Sequence, residues 1–363
     1  MGEYIIAVKY TKVNEMKLVA FSTKVLEKLG MPHDDAFIAS RLMVNTDLRG
    51  IASHGVAHLN GLYVKRLKTG FVKAKPDIKM YSGAPATATI DGDRGLGFVV
   101  GHKAMQEAIS RAKIYGMGAV TCRNTTHYGA CSAYSLLALP ENMIGFSCTT
   151  GGLNAVVPGA SGRVAGMNAM SFAAPSNKEF PFCLDMSSTM AAWGKVEIAL
   201  RTGDMLPLGW TIDPDGNPIT DPKEDEQKKG AMVMLGGTKE LGVYKGFGLN
   251  LMIDILSSTL AASVCLPELF QSPSTTSTCT HFCAAMKISG FTPPEEFKKG
   301  MDRLIETYHN LPKAKGVKNI TIPGELEWAL VQDRKKNGIP LDEVVIQSLK
   351  ELSTEFKVDF DIV

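Results

Sequence analysis

The chain has 363 residues, 45% of them hydrophobic and 21% charged, and its 39 Lys and Arg against 37 Asp and Glu leave a net charge of +2. This is the composition of a globular protein long enough to bury a full core, as one large or two ordinary domains. So even a balance gives no basic face for nucleic acid, and the runs Gln227-Lys-Lys229 and Arg334-Lys-Lys336 read as solvated surface. The most apolar stretch, 247–266, contains Asn250 and Asp254 and is expected to be a buried helix rather than a membrane span. Met1-Gly-Glu-Tyr has neither the basic region nor the apolar core of a signal peptide. Seven cysteines without a disulfide-like spacing point to reduced thiols. Cys279-Thr-His281-Phe-Cys283 lacks a second ligand cluster and zinc-type spacing, so these residues are expected to share one face of a strand. The expectation is a cytoplasmic, soluble protein with neither nucleic-acid nor membrane partners and no metal.

In chain order, apolar spacing predicts a helix over 14–29, ended by Gly30, and a second opened by Pro32 and Asp34-Asp35. Leu59, Leu62, Tyr63 and Leu67 continue a helical face up to Gly70, a candidate C-cap. Ala86–Asp91 alternates like a strand and leads through a glycine-rich stretch into a helix ending near Tyr115. Gly95, Gly97 and Gly101 invite a dinucleotide-binding Rossmann reading. Their spacing departs from the fingerprint, and no acidic residue ends a second strand, so that architecture is the runner-up. Further strands are expected at 120–124, 144–149, 169–174, 180–186 and 281–288. A helix is expected around Ala191, Ala192, Val196 and Ile198, and a polar surface excursion from Pro207 to Lys229. Pro267–Thr280, rich in Ser and Thr, reads as a mobile loop. Amphipathic helices near 294–310, 324–337 and 341–354 close the chain.

One stretch concentrates chemistry: Asp47-Leu-Arg-Gly-Ile-Ala-Ser-His-Gly55 ends a helix-like run and presents Arg49, Ser53, His54 and His58 close together. Histidine ordinarily titrates near neutral pH and is the default proton carrier at a carbon–oxygen centre. A loop histidine capping a helix end is the plainer reading of these residues alone.

With Asn124-Thr-Thr-His127-Tyr-Gly129, Gly166-Met-Asn168, Leu184-Asp185-Met-Ser-Ser, Gly194-Lys195, Tyr244-Lys245-Gly246 and Ile322-Pro-Gly-Glu325 following in order, the chain resembles the type-2 malate/L-lactate dehydrogenase family over nearly its whole length. The resemblance implies a mixed α/β fold. It comprises an unusual non-Rossmann nicotinamide-binding domain with a largely antiparallel sheet (76–309) and a helical domain formed by both termini (1–75 with 310–363). It further implies an intertwined homodimer that uses NAD or NADP to move a hydride between the cofactor and a small 2-hydroxy or 2-keto acid.

For the residues, the resemblance implies His54 as acid/base, with Ser53 and Asp185 in relay. His127 is a rival base within a cofactor-facing loop, His127-Tyr128-Gly129-Ala130. Pro175-Ser176-Asn177, Lys245 and Pro323-Gly324-Glu325 are the other cofactor-contacting positions. Lys245 at a helix start also suits a pyrophosphate on physical grounds, as a point charge beside free N–H groups and the positive helix end. On sequence alone Asp185 reads as the cap of a helix beginning near Ser187. Where members commonly carry an arginine four residues after the histidine, this chain has His58, which grips a carboxylate well only when protonated; Arg49 is a candidate substitute. Malate is the first expectation. Lactate, sulfolactate, ureidoglycolate, diketogulonate or a cyclic imino acid are alternatives, as is a catalytically retired binding or scaffold relative.

Overall fold

The computed structural model describes residues 10–265, 268 and 279–363. The described chain separates into two compact units, one formed by Met1–Lys75 with Ala329–Val363, the other by Pro76–Trp328.

The first unit is mainly helical. Asn14 caps the helix Glu15–Lys28 by accepting the Lys17 N–H, and Gly30, at φ 90°, lets the chain turn into the helix His33–Leu48. Leu18, Phe21, Val25, Leu42, Met43 and Leu349 form its buried interior. Leu59–Val64 is one turn of π-helix followed by Lys65–Lys68, and Gly70 ends it at φ 70°. From the other end of the chain come part of the helix Glu325–Asn337 and the helix Glu343–Phe356. Tyr10–Val13 pairs antiparallel with Ile339–Asp342, which ties the two chain ends together in one sheet.

The second unit holds a seven-stranded sheet in the order Lys79–Ala84, Thr87–Gly95, Met117–Thr125, Cys279–Lys287, Met143–Thr149, Ala169–Ala174, Phe182–Ser187. Thr87–Gly95 and Met117–Thr125 run parallel; every other neighbouring pair is antiparallel. The sheet is therefore largely antiparallel, and the Rossmann alternative falls, because a doubly wound domain needs a run of parallel strands. The glycines that suggested it have a packing role. A Cβ on Gly97 would lie 2.1 Å from the Thr126 carbonyl oxygen, and one on Gly101 would lie 2.8 Å from the Tyr134 ring. They let the helix Gly97–Tyr115 press against the chain at 126–134.

Two other expectations need correction. The span 207–229 is not merely a polar excursion. It contributes Thr211–Ile212 and Pro218–Ile219 to a five-stranded sheet with Leu153–Val156, Ala165–Gly166 and Ala231–Val233, and both Thr211 and Asp225 are fully buried. The apolar stretch 247–266 is not buried throughout. The helix Val243–Asp254 and its continuation Ile255–Thr259 turn Asn250, Asp254, Ser257 and Ser258 inward, and leave Leu251, Ile255 and Leu260 44%, 59% and 58% exposed. The inward face also carries Ile253, fully buried, so it mixes polar and aliphatic side chains, while three large aliphatic ones face out. The loop expected at 267–280 lies almost entirely outside the described residues. Among the described residues no helix is long and apolar enough to cross a membrane, and no cluster of His, Cys, Asp and Glu could hold a metal.

Candidate active site

In the first unit, the helix His33–Leu48 ends where Gly50 takes φ 80°, and a 3-10 turn, Ala52–His54, follows. The turn sets Ser53 Oγ 2.9 Å from His54 Nδ1. A hydroxyl bound at one ring nitrogen fixes the orientation of an imidazole and serves either tautomer, since it can donate or accept. The His58 ring centroid is 6.1 Å from that of His54, so the two imidazoles stand side by side, both half-buried. Arg49 is 5% exposed at the helix C-cap, and its Nε finds no acceptor among the described residues. A buried guanidinium with an unused donor suits an anion, because leaving that donor unsatisfied is costly.

In the second unit, the strand Met117–Thr125 runs into the loop that carries His127, Tyr128, Gly129 and Ala130. His127 is half-buried while Tyr128 and Ala130 are buried, and Gly129 turns the chain at φ 78°. The Tyr128 ring is stacked between those of Tyr134, at 4.3 Å, and His281, at 4.1 Å. Its hydroxyl lies 2.9 Å from Ser147 Oγ and donates to Cys131 Sγ. His281 is held by Thr149 Oγ1 at 2.7 Å, and burial pushes its pKa down to about 3. His281 thus belongs to the core beside Cys283, whose thiol burial pushes up to about 12.

Asp185 lies within the strand Phe182–Ser187, and the next helix starts only at Trp193, so it does not cap a helix at Ser187. Its Oδ2 instead accepts the N–H of Ser132, 2.9 Å away, at the start of the short helix Ser132–Ser135. The carboxylate is thereby tied to the end of the His127 loop. Pro323-Gly324-Glu325 runs beside the same strand: Pro323 O accepts from Cys183 N–H, and Gly324, at φ 98°, comes so close that a Cβ would sit 2.8 Å from Cys183 N. Glu325 Oε2 meets His309 Nε2 at 3.0 Å. Pro175-Ser176-Asn177 follows the neighbouring strand, and the N–H groups of Asn177, Lys178 and Glu179 all converge on the Asp302 carboxylate.

Lys245 is exposed in the first turn of its helix and has no carboxylate partner among the described residues. The free N–H groups expected beside it are largely engaged, since Val243, Lys245 and Gly246 donate to Thr238, Gly242 and Leu235 carbonyls. What Lys245 offers a phosphate is its charge. Leu235 in turn donates to Ser188, next to the strand that carries Asp185. A dinucleotide needs a cation for its pyrophosphate and a backbone held firm beneath it, and these residues fit such a group.

A family model described as malate/L-lactate dehydrogenase matches residues 13–350. The chain belongs to that family. It is 38% identical over 351 residues to malate dehydrogenase from Pyrococcus horikoshii, covering 96% of this chain and 97% of that one. It is 37% identical over 349 residues to L-sulfolactate dehydrogenase from Methanocaldococcus jannaschii, covering 96% and 97%. The crystal structure of malate dehydrogenase from Entamoeba histolytica superposes with a TM-score of 0.94 at 30% identity, covering 98% of this chain and all of that one. The chain is thus a hydroxyacid dehydrogenase, and its relatives imply a nicotinamide cofactor.

Sequence reasoning passed over Asp47 in the first unit, although it sits in the quoted motif, and Tyr134 in the second. It singled out His281 only as part of the strand segment 279–283 and gave no sign of its stacking on Tyr128.

Proposed function

We propose that this dehydrogenase interconverts a small 2-hydroxy acid and its 2-keto acid, malate and oxaloacetate first, with NAD or NADP. The observation that carries the reading is the Ser53 Oγ–His54 Nδ1 contact at 2.9 Å, an imidazole oriented by a hydroxyl on a half-buried turn. In the oxidative direction the substrate hydroxyl proton passes to the His54 imidazole, and in the reductive direction the same group returns it to the nascent alkoxide. The nicotinamide, when bound, accepts or donates the hydride at the substrate carbon. Asp185 is the carboxylate that stabilises the imidazolium, as a buried acid does in other relays. Arg49 and His58 are the groups for the substrate carboxylate. Lys245 would supply the cation for the cofactor pyrophosphate, and His127–Ala130, Pro175–Asn177 and Pro323–Glu325 would hold the cofactor. His127 remains the rival base.

The test follows loss of NADH and NADPH absorbance against oxaloacetate, pyruvate, sulfopyruvate and a cyclic imine, for the parent and for His54→Ala. We expect oxaloacetate to be turned over and His54→Ala to lose roughly 10²- to 10⁴-fold in kcat with NADH still bound. Turnover undiminished in His54→Ala would overturn the assignment, and the same loss in His127→Ala alone would move it to His127. No turnover of any of the four, with NADH still bound, would favour a retired relative. The homodimer draws support from the helix that turns Leu251, Ile255 and Leu260 outward. Light scattering of the parent and of Leu251→Glu with Ile255→Glu tests it, the variant being expected to run as a monomer.

A further inference from the structure

Beneath the Ser53–His54 turn lies a buried acid that the reaction above does not use. Asp47, in the last turn of the helix His33–Leu48, is 2% exposed. Its Oδ2 accepts the N–H of Val56 at 2.8 Å, a bond that spans nine residues and closes the loop containing Ser53 and His54. The loop crosses directly over the carboxyl group. A Cβ on Gly55 would lie 1.9 Å from Asp47 Oδ1, so no other residue fits between His54 and Val56 without moving the acid. The start of the loop is fixed as well. Arg334 donates to the Asp47 carbonyl oxygen, and Leu330 Cδ1 sits 2.5 Å from where a Gly50 Cβ would be.

We propose that Asp47 is a positioning residue for His54, tethering the turn through Val56 so that the imidazole meets the substrate in one orientation. The inference rests on His54 being the acid/base. Burying a carboxyl group is costly, and an apolar residue of similar size would fill the space more cheaply. A polar group is needed because the Val56 N–H must be satisfied away from water and because a tight turn over a helix end has no regular ladder to hold it. Burial raises the Asp47 pKa to about 7, against the lowering effects of the Val56 N–H and the Arg334 charge. The carbonyl oxygen of the neutral acid still accepts from Val56, so the tether holds in both charge states. That makes Asn, which keeps a carbonyl oxygen at the same place, the conservative replacement.

The experiment uses the full chain, with oxaloacetate or the fastest acid of the panel above, and compares Asp47→Ala, Asp47→Asn and His54→Ala for kcat, NADH dissociation constant and thermal midpoint. Asp47→Ala is expected to lose about 30-fold or more in kcat, with the NADH dissociation constant within about twofold of the parent. Asp47→Asn is expected to recover to within about fivefold of the parent kcat. A purely structural role would not produce this split or this rescue. If Asp47→Ala does not accumulate folded, Asp47→Ser, too short to reach Val56, takes its place with the same thresholds. Turnover within about threefold of the parent in the shortened variant, or Asn no better than Ala, overturns the tether. If His54→Ala retains turnover, the functional reading fails and the tether fails with it. If His54→Ala is inactive while Asp47→Ala runs at the parent rate, only the tether fails.

Discussion

Two loops each present a half-buried histidine, and they are held by opposite means. The His54 turn hangs on a polar tether, one carboxyl oxygen bound to the Val56 N–H, with a glycine passing over the acid. The His127 loop is gripped by an aromatic clamp: Tyr128 is stacked between Tyr134 and His281, and Gly97 and Gly101 let a helix approach from behind. Each support contains a buried titratable group, and burial favours the neutral form of both. For Asp47 this raises the pKa to about 7, whereas for His281 it lowers it to about 3. The difference teaches that one loop rests on a group that changes charge in the working range of pH. The other rests on a group that stays silent throughout it.

The comparison breaks most visibly if the clamp is emptied. Tyr128→Ala should cost about 3–5 kcal/mol in urea unfolding, as for other large buried aromatic rings; a cost below about 1 kcal/mol would show that the stack does not hold the loop. The pH dependence sharpens the comparison next. Unfolded Asp47 ionises near 3.8 and folded Asp47 near 7, so unfolding releases a proton between those values and stability falls as pH rises through them. Unfolded His281 takes up a proton near 6.5 and folded His281 only near 3, so stability falls as pH drops through that window. Each contributes up to about 1.4 kcal/mol per pH unit, with opposite sign. Asp47→Asn and His281→Gln should each remove one slope when unfolding free energies are measured from pH 4 to 8. Retention of the parent slope in either would refute the corresponding assignment. Gly97→Ala follows at about 1–3 kcal/mol, because its new methyl meets backbone that cannot swing aside. Gly61→Ala, with nothing within 4 Å, serves as the control and should not destabilise. The smallest effect is expected from Tyr128→Phe, which keeps the stack and loses the hydroxyl bonds, at about 1 kcal/mol by thermal melt.

Much of this was legible in the sequence where a local signal existed. The helix expected over 14–29 appears as Glu15–Lys28 because Asn14 and Gly30 mark its ends, and the strand expected at 169–174 appears as Ala169–Ala174. The two-residue strands at Thr211–Ile212 and Pro218–Ile219 were not legible, since so short a segment has no period to read. The stretch 247–266 misled because composition records how apolar a helix is and not which face it buries; here Asn250 and Asp254 lie inward. Ser53, His54 and Asp185 were legible as candidates through their motifs. Asp47 and His281 were not: one meets a backbone N–H nine residues along, and the other stacks on a tyrosine from a distant strand end. Such partners are chosen by the fold.

The strand Cys279–Lys287 stands at the middle of the seven-stranded sheet, between Met117–Thr125 and Met143–Thr149. In the order of synthesis it is the last of the seven. Until it emerges, the nascent chain holds two half-sheets of three strands, each with an unsatisfied edge facing the gap this strand will fill. Cys122 and Cys148 lie on those two edges, and Cys283 arrives with the insert. Completion of the seven-stranded sheet is therefore a late, long-range event of the slow kind. Refolding yield should depend on protein concentration and on a reducing medium, because open edges pair with neighbours and waiting thiols can couple wrongly. An enzyme assembled this way is exposed to aggregation not while it works but during the interval when the chain has been made and the keystone strand has not.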